Sequence, residues 1–223
     1  MRPTALITGG SRGLGAAIAR ELAPDHDLLL GGRTEESLGA IVAELPGATP
    51  WPVDLLDHEA VAAACSGIDR LDVLVHNAGI ASLGTVAESD VAQWREMFDA
   101  NVFAVVALTR ALLPALRAAN GHVVLINSGS GLNARAGWGA YAASKFALRA
   151  FGDVLRQEEP GLRVTSVHPG RIDTDMQRAL VAEEGNEYRA DRYLRPATVA
   201  QAVGNAIRTP ADAHPTEIVL RPR

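Results

Sequence analysis

Seven short segments that are apolar without strict alternation constrain this chain most. They are "TALIT" (from Thr4), "DLLLG" (from Asp27), "TPWPV" (from Thr49), "DVLVH" (from Asp72), "HVVLIN" (from His122), "RVTSVH" (from Arg163) and "TEIVL" (from Thr216). Each has the length and the mostly β-branched or aliphatic content of a strand. Strands of this kind are buried on both faces, so they need helices above and below them, as in a parallel sheet. Helical patterns with apolar residues three and four apart lie between them: "GLGAAIAREL", "EESLGAIVAEL", "HEAVAAAC", the stretch from Val91 to Ala118, and "YAASKFALRAFGDVLRQ". Helix stops agree, with Pro24 after "ARELA", Pro46 after "AEL" and Gly161 after Pro160. The alternation predicts an α/β fold: a doubly wound, mostly parallel seven-stranded sheet with helices on both faces, forming one domain over residues 1–223. Residues 173–194 are polar and weakly patterned and read as a flexible substrate flap.

Charge narrows the partners. The formal net charge is −5 and the charges are dispersed, so no basic stripe points to nucleic acid or an anionic membrane. The expected partner is a small molecule. The only cysteine, Cys65, sits in an Ala-rich helical run and reads as a buried structural thiol. "VFAVVALTRALLPAL" is interrupted by Arg110 and Pro114 and falls short of the roughly 20 apolar residues of a membrane span. A soluble, cytoplasmic protein is expected.

The first strand runs into "TGGSRGLG", Thr8 to Gly15, which opens a helix. Glycines at 9, 13 and 15 let the chain turn tightly and bring a pyrophosphate to the helix N-terminus, where Ser11, Arg12 and Leu14 also lie. In many dinucleotide sites an acid about 20 residues on holds the ribose 2′-hydroxyl. The second strand here ends in "LLLGGRT", which offers Arg33 and no carboxylate. With Arg12, that guanidinium suits a 2′-phosphate, and NADP(H) is expected.

The stretch "YAASK" holds the only lysine among 21 basic residues. On a helix, Tyr141 and Lys145 share a face one turn apart. Bringing a phenol pKa from near 10 toward 7 takes about 4 kcal/mol, and a nearby ammonium is expected to supply part of it. Ser128, at the exit of the fifth strand, is placed to donate to a substrate oxygen, with Ser130 as the second choice. Neither serine reads as an acyl nucleophile, because no G-x-S-x-G elbow or His/Asp relay accompanies it.

Together these stretches resemble the short-chain dehydrogenase/reductase family. Its first turn, T-G-x-x-x-G-x-G, is matched by Thr8, Gly9, Gly13 and Gly15. The resemblance implies that Asp54 and Leu55 in "VDLLD" flank an adenine. It also implies that Asn77, Ala78 and Gly79 in "HNAG" match three of the four residues of N-N-A-G, His76 being read as structural. It implies a catalytic set of Asn101, Ser128, Tyr141 and Lys145, with Asn101 bending its helix and completing a proton path. Pro169, Gly170, Ile172 and Thr174 in "HPGRIDT" would line the nicotinamide.

The expectation is therefore an NADP(H)-dependent oxidoreductase acting on an alcohol or carbonyl. Tyr141 would carry the proton, and Lys145 would depress its pKa and hold the ribose. Leu132, Trp138, Met176 and Tyr188 are candidates for an apolar substrate pocket. A homodimer is expected first and a homotetramer second. A nucleotide-binding sensor without turnover, and an epimerase or dehydratase, are the competing readings.

Overall fold

The computed structural model describes residues 2–223. All seven apolar segments form strands: β1 (Thr4–Ile7), β2 (Asp27–Gly32), β3 (Ala48–Pro52), β4 (Val73–His76), β5 (His122–Ile126), β6 (Arg163–Pro169) and β7 (Glu217–Leu220). They make one sheet in the order β3-β2-β1-β4-β5-β6-β7, and every pairing is parallel. The order reverses between β1 and β4, which opens a crevice at their carboxyl ends.

Side chains alternate across a strand, yet both faces here are apolar. On one face Ala5, Ile7, Leu28, Leu30 and Val75 meet α1 (Gly13–Leu22), α2 (Glu35–Glu44) and α8 (Pro196–Ile207) through Ile18, Leu38 and Val203. On the other face Leu6, Leu74, Val123 and Leu125 meet α3 (His58–Cys65), α5 (Ala104–Ala119) and α6 (Gly139–Glu158) through Val61, Leu108, Leu112 and Leu148. Each such side chain fully buried stabilises the fold by about 1.5–3 kcal/mol before entropy is counted. Cys65 belongs to the second core, and burial raises its thiol to about 11.

Two helices lie outside the sequence expectation. α7 (Asp175–Glu183) occupies the stretch read as an irregular flap, and α8 follows it, opening with Pro196 at its first turn. The long pattern from Val91 is also broken: α4 (Val91–Phe98) passes through a π turn (Asp99–Phe103) into α5. The continuous helical run Val91–Ala119 is 29 residues and contains an 18-residue window apolar enough, by length and composition alone, to cross a membrane. The sequence estimate counted Arg110 and Pro114 as interruptions, yet both lie inside the continuous helix α5. Core helices of soluble proteins pass the same test, and here Leu108 and Leu112 pack on the sheet.

Candidate active site

The carboxyl ends of the central strands line one cleft of about 1200 Å³. At one end stands the glycine turn. Gly9 and Gly13 have φ values of 64° and 56°, a left-handed conformation that a Cβ disfavours. Gly15 is required for another reason, since a Cβ there would lie 2.0 Å from the Gly9 carbonyl oxygen.

The turn is tied to the exit of β4. Thr8 Oγ1 accepts from the Asn77 and Ala78 amides at 3.0 Å, and Asn77 Nδ2 donates to the carbonyls of Thr8 at 2.9 Å and Gly9 at 3.1 Å. Asn77 therefore shapes the turn. α1 above it has no side-chain cap and no acid in its first turn, whereas Thr34, Asp57, Asp90 and Thr174 cap α2, α3, α4 and α7. Its first amides and dipole suit a pyrophosphate, so this end fits a dinucleotide.

Ser11, Leu14, Arg12 and Arg33 line the same end. Arg12 faces Asp175 at 3.6 Å, a pair 77% and 71% exposed and hence weak. Asp54 and Leu55 line it too, although one Asp54 oxygen already accepts from the Leu56 amide at 3.0 Å. Trp51, with Gly31 and Gly32, completes this wall, and the sequence reading did not single these residues out.

At the other end α6 sets Tyr141 and Lys145 one turn apart, with Lys145 Nζ 5.8 Å from the Tyr141 ring centre. Lys145 is 6% exposed, and its Nζ donates to the Ile126 carbonyl at 3.1 Å. Burial lowers its pKa to about 8. Burial also raises the Tyr141 phenol above its ordinary value, opposed by a hydrogen bond to the Ser128 side chain. The expected depression of the phenol by Lys145 is not among these influences. Desolvation acts on both groups, and the ammonium sits over the ring face with one hydrogen committed to a carbonyl. The phenol thus holds its proton at neutral pH and is suited to donate it.

Ser128 Oγ accepts from the Ser130 amide at 3.1 Å, and both serines line the cleft. Asn127, which the sequence reading passed over, is 3% exposed. It fixes this corner, donating from Nδ2 to the Lys145 carbonyl at 3.1 Å and accepting from the Ser128 amide at 2.8 Å.

Asn101 lies in the π turn, as its expected helix-bending position requires. Its Oδ1 accepts from the Ile80 amide at 2.9 Å, and its Nδ2 donates to the Ile80 carbonyl and Ser144 Oγ, both at 3.0 Å. The side chain is thereby committed to holding the β4 exit against α6. Gly79 fits beside it because a Cβ would come within 2.8 Å of Asn101 Oδ1. His76 is a buried structural residue as read: it hydrogen-bonds Thr109 Oγ1 at 2.9 Å, and burial lowers it to about 3.

Pro169, Gly170, Ile172 and Thr174 line the cleft between its two ends. Gln177 lies beside them, 6% exposed, with an Nε2 that has no partner among the described residues.

The flap is ordered by contacts far apart in sequence. Its two ends pair as Ile172 with Leu194, and the Asp173 amide donates to the Leu194 carbonyl at 2.8 Å. Asp173 Oδ1 accepts from Tyr188 Oη and from Arg178 Nη2, the latter at 2.9 Å, and Arg178 stacks on the Tyr188 ring at 4.3 Å. Tyr188 is therefore spent inside the lid. Leu132, like Tyr188, lies off the cleft wall, while Trp138 and Met176 line it as expected.

The family model described as "short chain dehydrogenase" matches residues 3–185. The Xenopus tropicalis dehydrogenase/reductase SDR family member 7B is 37% identical over 225 residues, covering 91% of this chain and 73% of the relative. The Homo sapiens dehydrogenase/reductase SDR family member 11 is 31% identical over 242 residues, covering 98% and 93%. Among solved structures, an alcohol dehydrogenase from the archaeon Thermococcus sibiricus complexed with 5-hydroxy-NADP superposes with a TM-score of 0.90 at 28% identity, covering 99% and 96% of the two chains.

Proposed function

The chain belongs to the short-chain dehydrogenase family, and on that footing we propose that it is an NADP(H)-dependent oxidoreductase interconverting an alcohol and a carbonyl. The observation that carries this reading is one cleft with the uncapped glycine turn at one end and Ser128, Tyr141 and Lys145 together at the other. The nicotinamide, when bound, supplies or accepts the hydride. Gly9 to Gly15 hold the pyrophosphate, Arg12 and Arg33 the 2′-phosphate, and Lys145 the ribose hydroxyls.

Ser128 orients the substrate oxygen, and Tyr141 donates its phenolic proton to that oxygen as negative charge develops there. The phenol, protonated at neutral pH, is in the form that donates to a carbonyl oxygen. Asn101 and Asn127 act on position, keeping the β4 and β5 exits registered against α6. The exposed Phe103, Phe146 and Val154, on the π turn and α6, support a homodimer formed through these helices.

NADPH oxidation with a panel of ketones, aldehydes and quinones tests the reading, with NADH as the comparison. Tyr141→Phe is expected to lower kcat by at least about 10³-fold while NADPH affinity stays within twofold, as removal of a positioned proton donor implies. NADPH binding without oxidation of any carbonyl would instead favour a nucleotide sensor, and equal use of NADH would remove the 2′-phosphate assignment to Arg12 and Arg33.

A further inference from the structure

The residues after β7 turn back over the chemical end of the cleft. The Gly170 amide donates to the Leu220 carbonyl at 2.8 Å, and Pro222 packs so closely on Gly170 that a Cβ there would meet its Cδ at 2.7 Å. Arg221 rests in the same way on Gly129, where a Cβ would lie 3.3–3.4 Å from the guanidinium atoms. Two glycines thus form a seat for this segment, and both border residues already assigned to the site: Gly129 follows Ser128, and Gly170 follows Pro169.

Arg221 Nη1 donates to the His168 carbonyl at 2.9 Å and the Leu220 carbonyl at 3.0 Å. Those contacts aim the guanidinium without neutralising it, and it has no ion-pair partner among the described residues. Arg192, from the lid, also lines the cleft and forms no salt bridge among the described residues, Asp191 being paired with Arg189. Arg171 differs, being paired with Glu184 at 2.7 Å and stacked over Trp138 at 5.5 Å. In a chain of net charge −5, Arg221 is exposed at the cleft wall, anchored by backbone carbonyls and free of any acid among the described residues, and its guanidinium fork is suited to pair with an anion.

We infer that the substrate carries a carboxylate or equivalent anionic group a few bonds from its carbonyl, and that Arg221 is the residue that reads it. The inference rests on the reductase reading above. Arg221 and Ser128 line the same cleft, and the guanidinium is seated on the residue next to Ser128, which sets it beside a small substrate whose oxygen is held there.

The test is steady-state reduction by NADPH of 2-, 3- and 4-oxo acids against the methyl ester of each, with the native protein, Arg221→Gln and Arg221→Lys. At one chain length the acid should exceed its ester in kcat/KM by tenfold or more. Arg221→Gln should erase that preference through KM, and Arg221→Lys, which keeps the charge and loses the fork, should retain part of it. Equal use of acid and ester by the native protein, or equal losses for both in Arg221→Gln, overturns the inference and leaves the reductase reading standing. Titrating the same acids and esters into the NADPH-bound protein, followed by tryptophan fluorescence, separates the two ideas. If no carbonyl of any kind is reduced, the reductase reading fails, and acid-selective binding lost in Arg221→Gln still decides whether Arg221 recognises an anion.

Discussion

In the turn from Thr8 to Gly15, residue identity is dictated by backbone atoms a few residues away. In the lid from Asp173 to Leu194, it is dictated by side chains that meet across five to fifteen positions. Gly15 must be glycine because the Gly9 carbonyl occupies the space of its Cβ, whereas Asp173 matters because Tyr188 and Arg178 converge on it. The floor of the cleft is thus rigid and leaves a local signature, while the lid is a stapled unit whose signature is distributed.

The sharpest way to break that contrast is Gly15→Ala. A Cβ 2.0 Å from a carbonyl oxygen cannot be relieved by a side-chain rotation, so the turn must distort at a cost of about 3 kcal/mol or more. NADPH titration should show a hundredfold or greater loss of affinity, together with a lower Tm; native affinity would show that the floor is not rigid.

Lys145→Met probes the floor's chemical half. The folded pKa of about 8 lies below the ordinary 10.5, so between these values the unfolded chain holds more protons and stability rises with pH. Below about pH 8 the buried ammonium instead costs the native state about 3 kcal/mol. The variant should lose turnover by about 100-fold, the scale of a lost positioned charge, while its Tm at pH 7 rises by several degrees. The native-minus-variant stability difference should change only across pH 8 to 10.5. A variant less stable than the native protein at pH 7 would show that the Nζ contact with Ile126 outweighs desolvation.

Asp173→Ala probes the lid and should have the smallest effect. The residue is partly exposed, so losing its bonds to Arg178 and Tyr188 costs about 1 kcal/mol. Limited proteolysis should quicken within residues 173–194 and kcat/KM should fall about fivefold, with NADPH affinity within twofold of native. A nucleotide affinity that fell as far as kcat/KM would mean that lid and floor are one unit.

The same contrast explains what the sequence disclosed. The inner strands were legible because a strand covered on both faces must be apolar at neighbouring positions, whereas the edge strands β3 and β7 are only partly covered and were read from their short apolar runs. The glycine turn and the Tyr141–Lys145 pair were legible because their chemistry lies within a few residues. α7 was missed because "DMQRALVAE" buries Gln177, Leu180 and Val181 and presents charge elsewhere, although Thr174 offered a cap. α8 carried a better signal, Pro196 followed by Val199, Val203, Ala206 and Ile207 on one buried face.

Asn127 and Arg221 left no local mark, since their partners come from α6, β6 and the Gly129 turn. The raised phenol was hidden for the same reason. Spacing places an amine beside a ring, but only the folded surroundings decide whether desolvation or charge attraction wins.

The bridge between Ile172 and Leu194 closes the lid at its neck before any substrate contact is made. Once a neck is fixed, doubling the length of chain beyond it costs only about 0.6 kcal/mol in closure entropy. Residues between Thr174, which lines the cleft beside Gly13, and Leu194 can therefore be exchanged as a cassette, longer or shorter, while the sheet and the glycine turn keep their geometry. Grafting at that neck is the natural route to a different substrate range on an unchanged hydride-transfer scaffold.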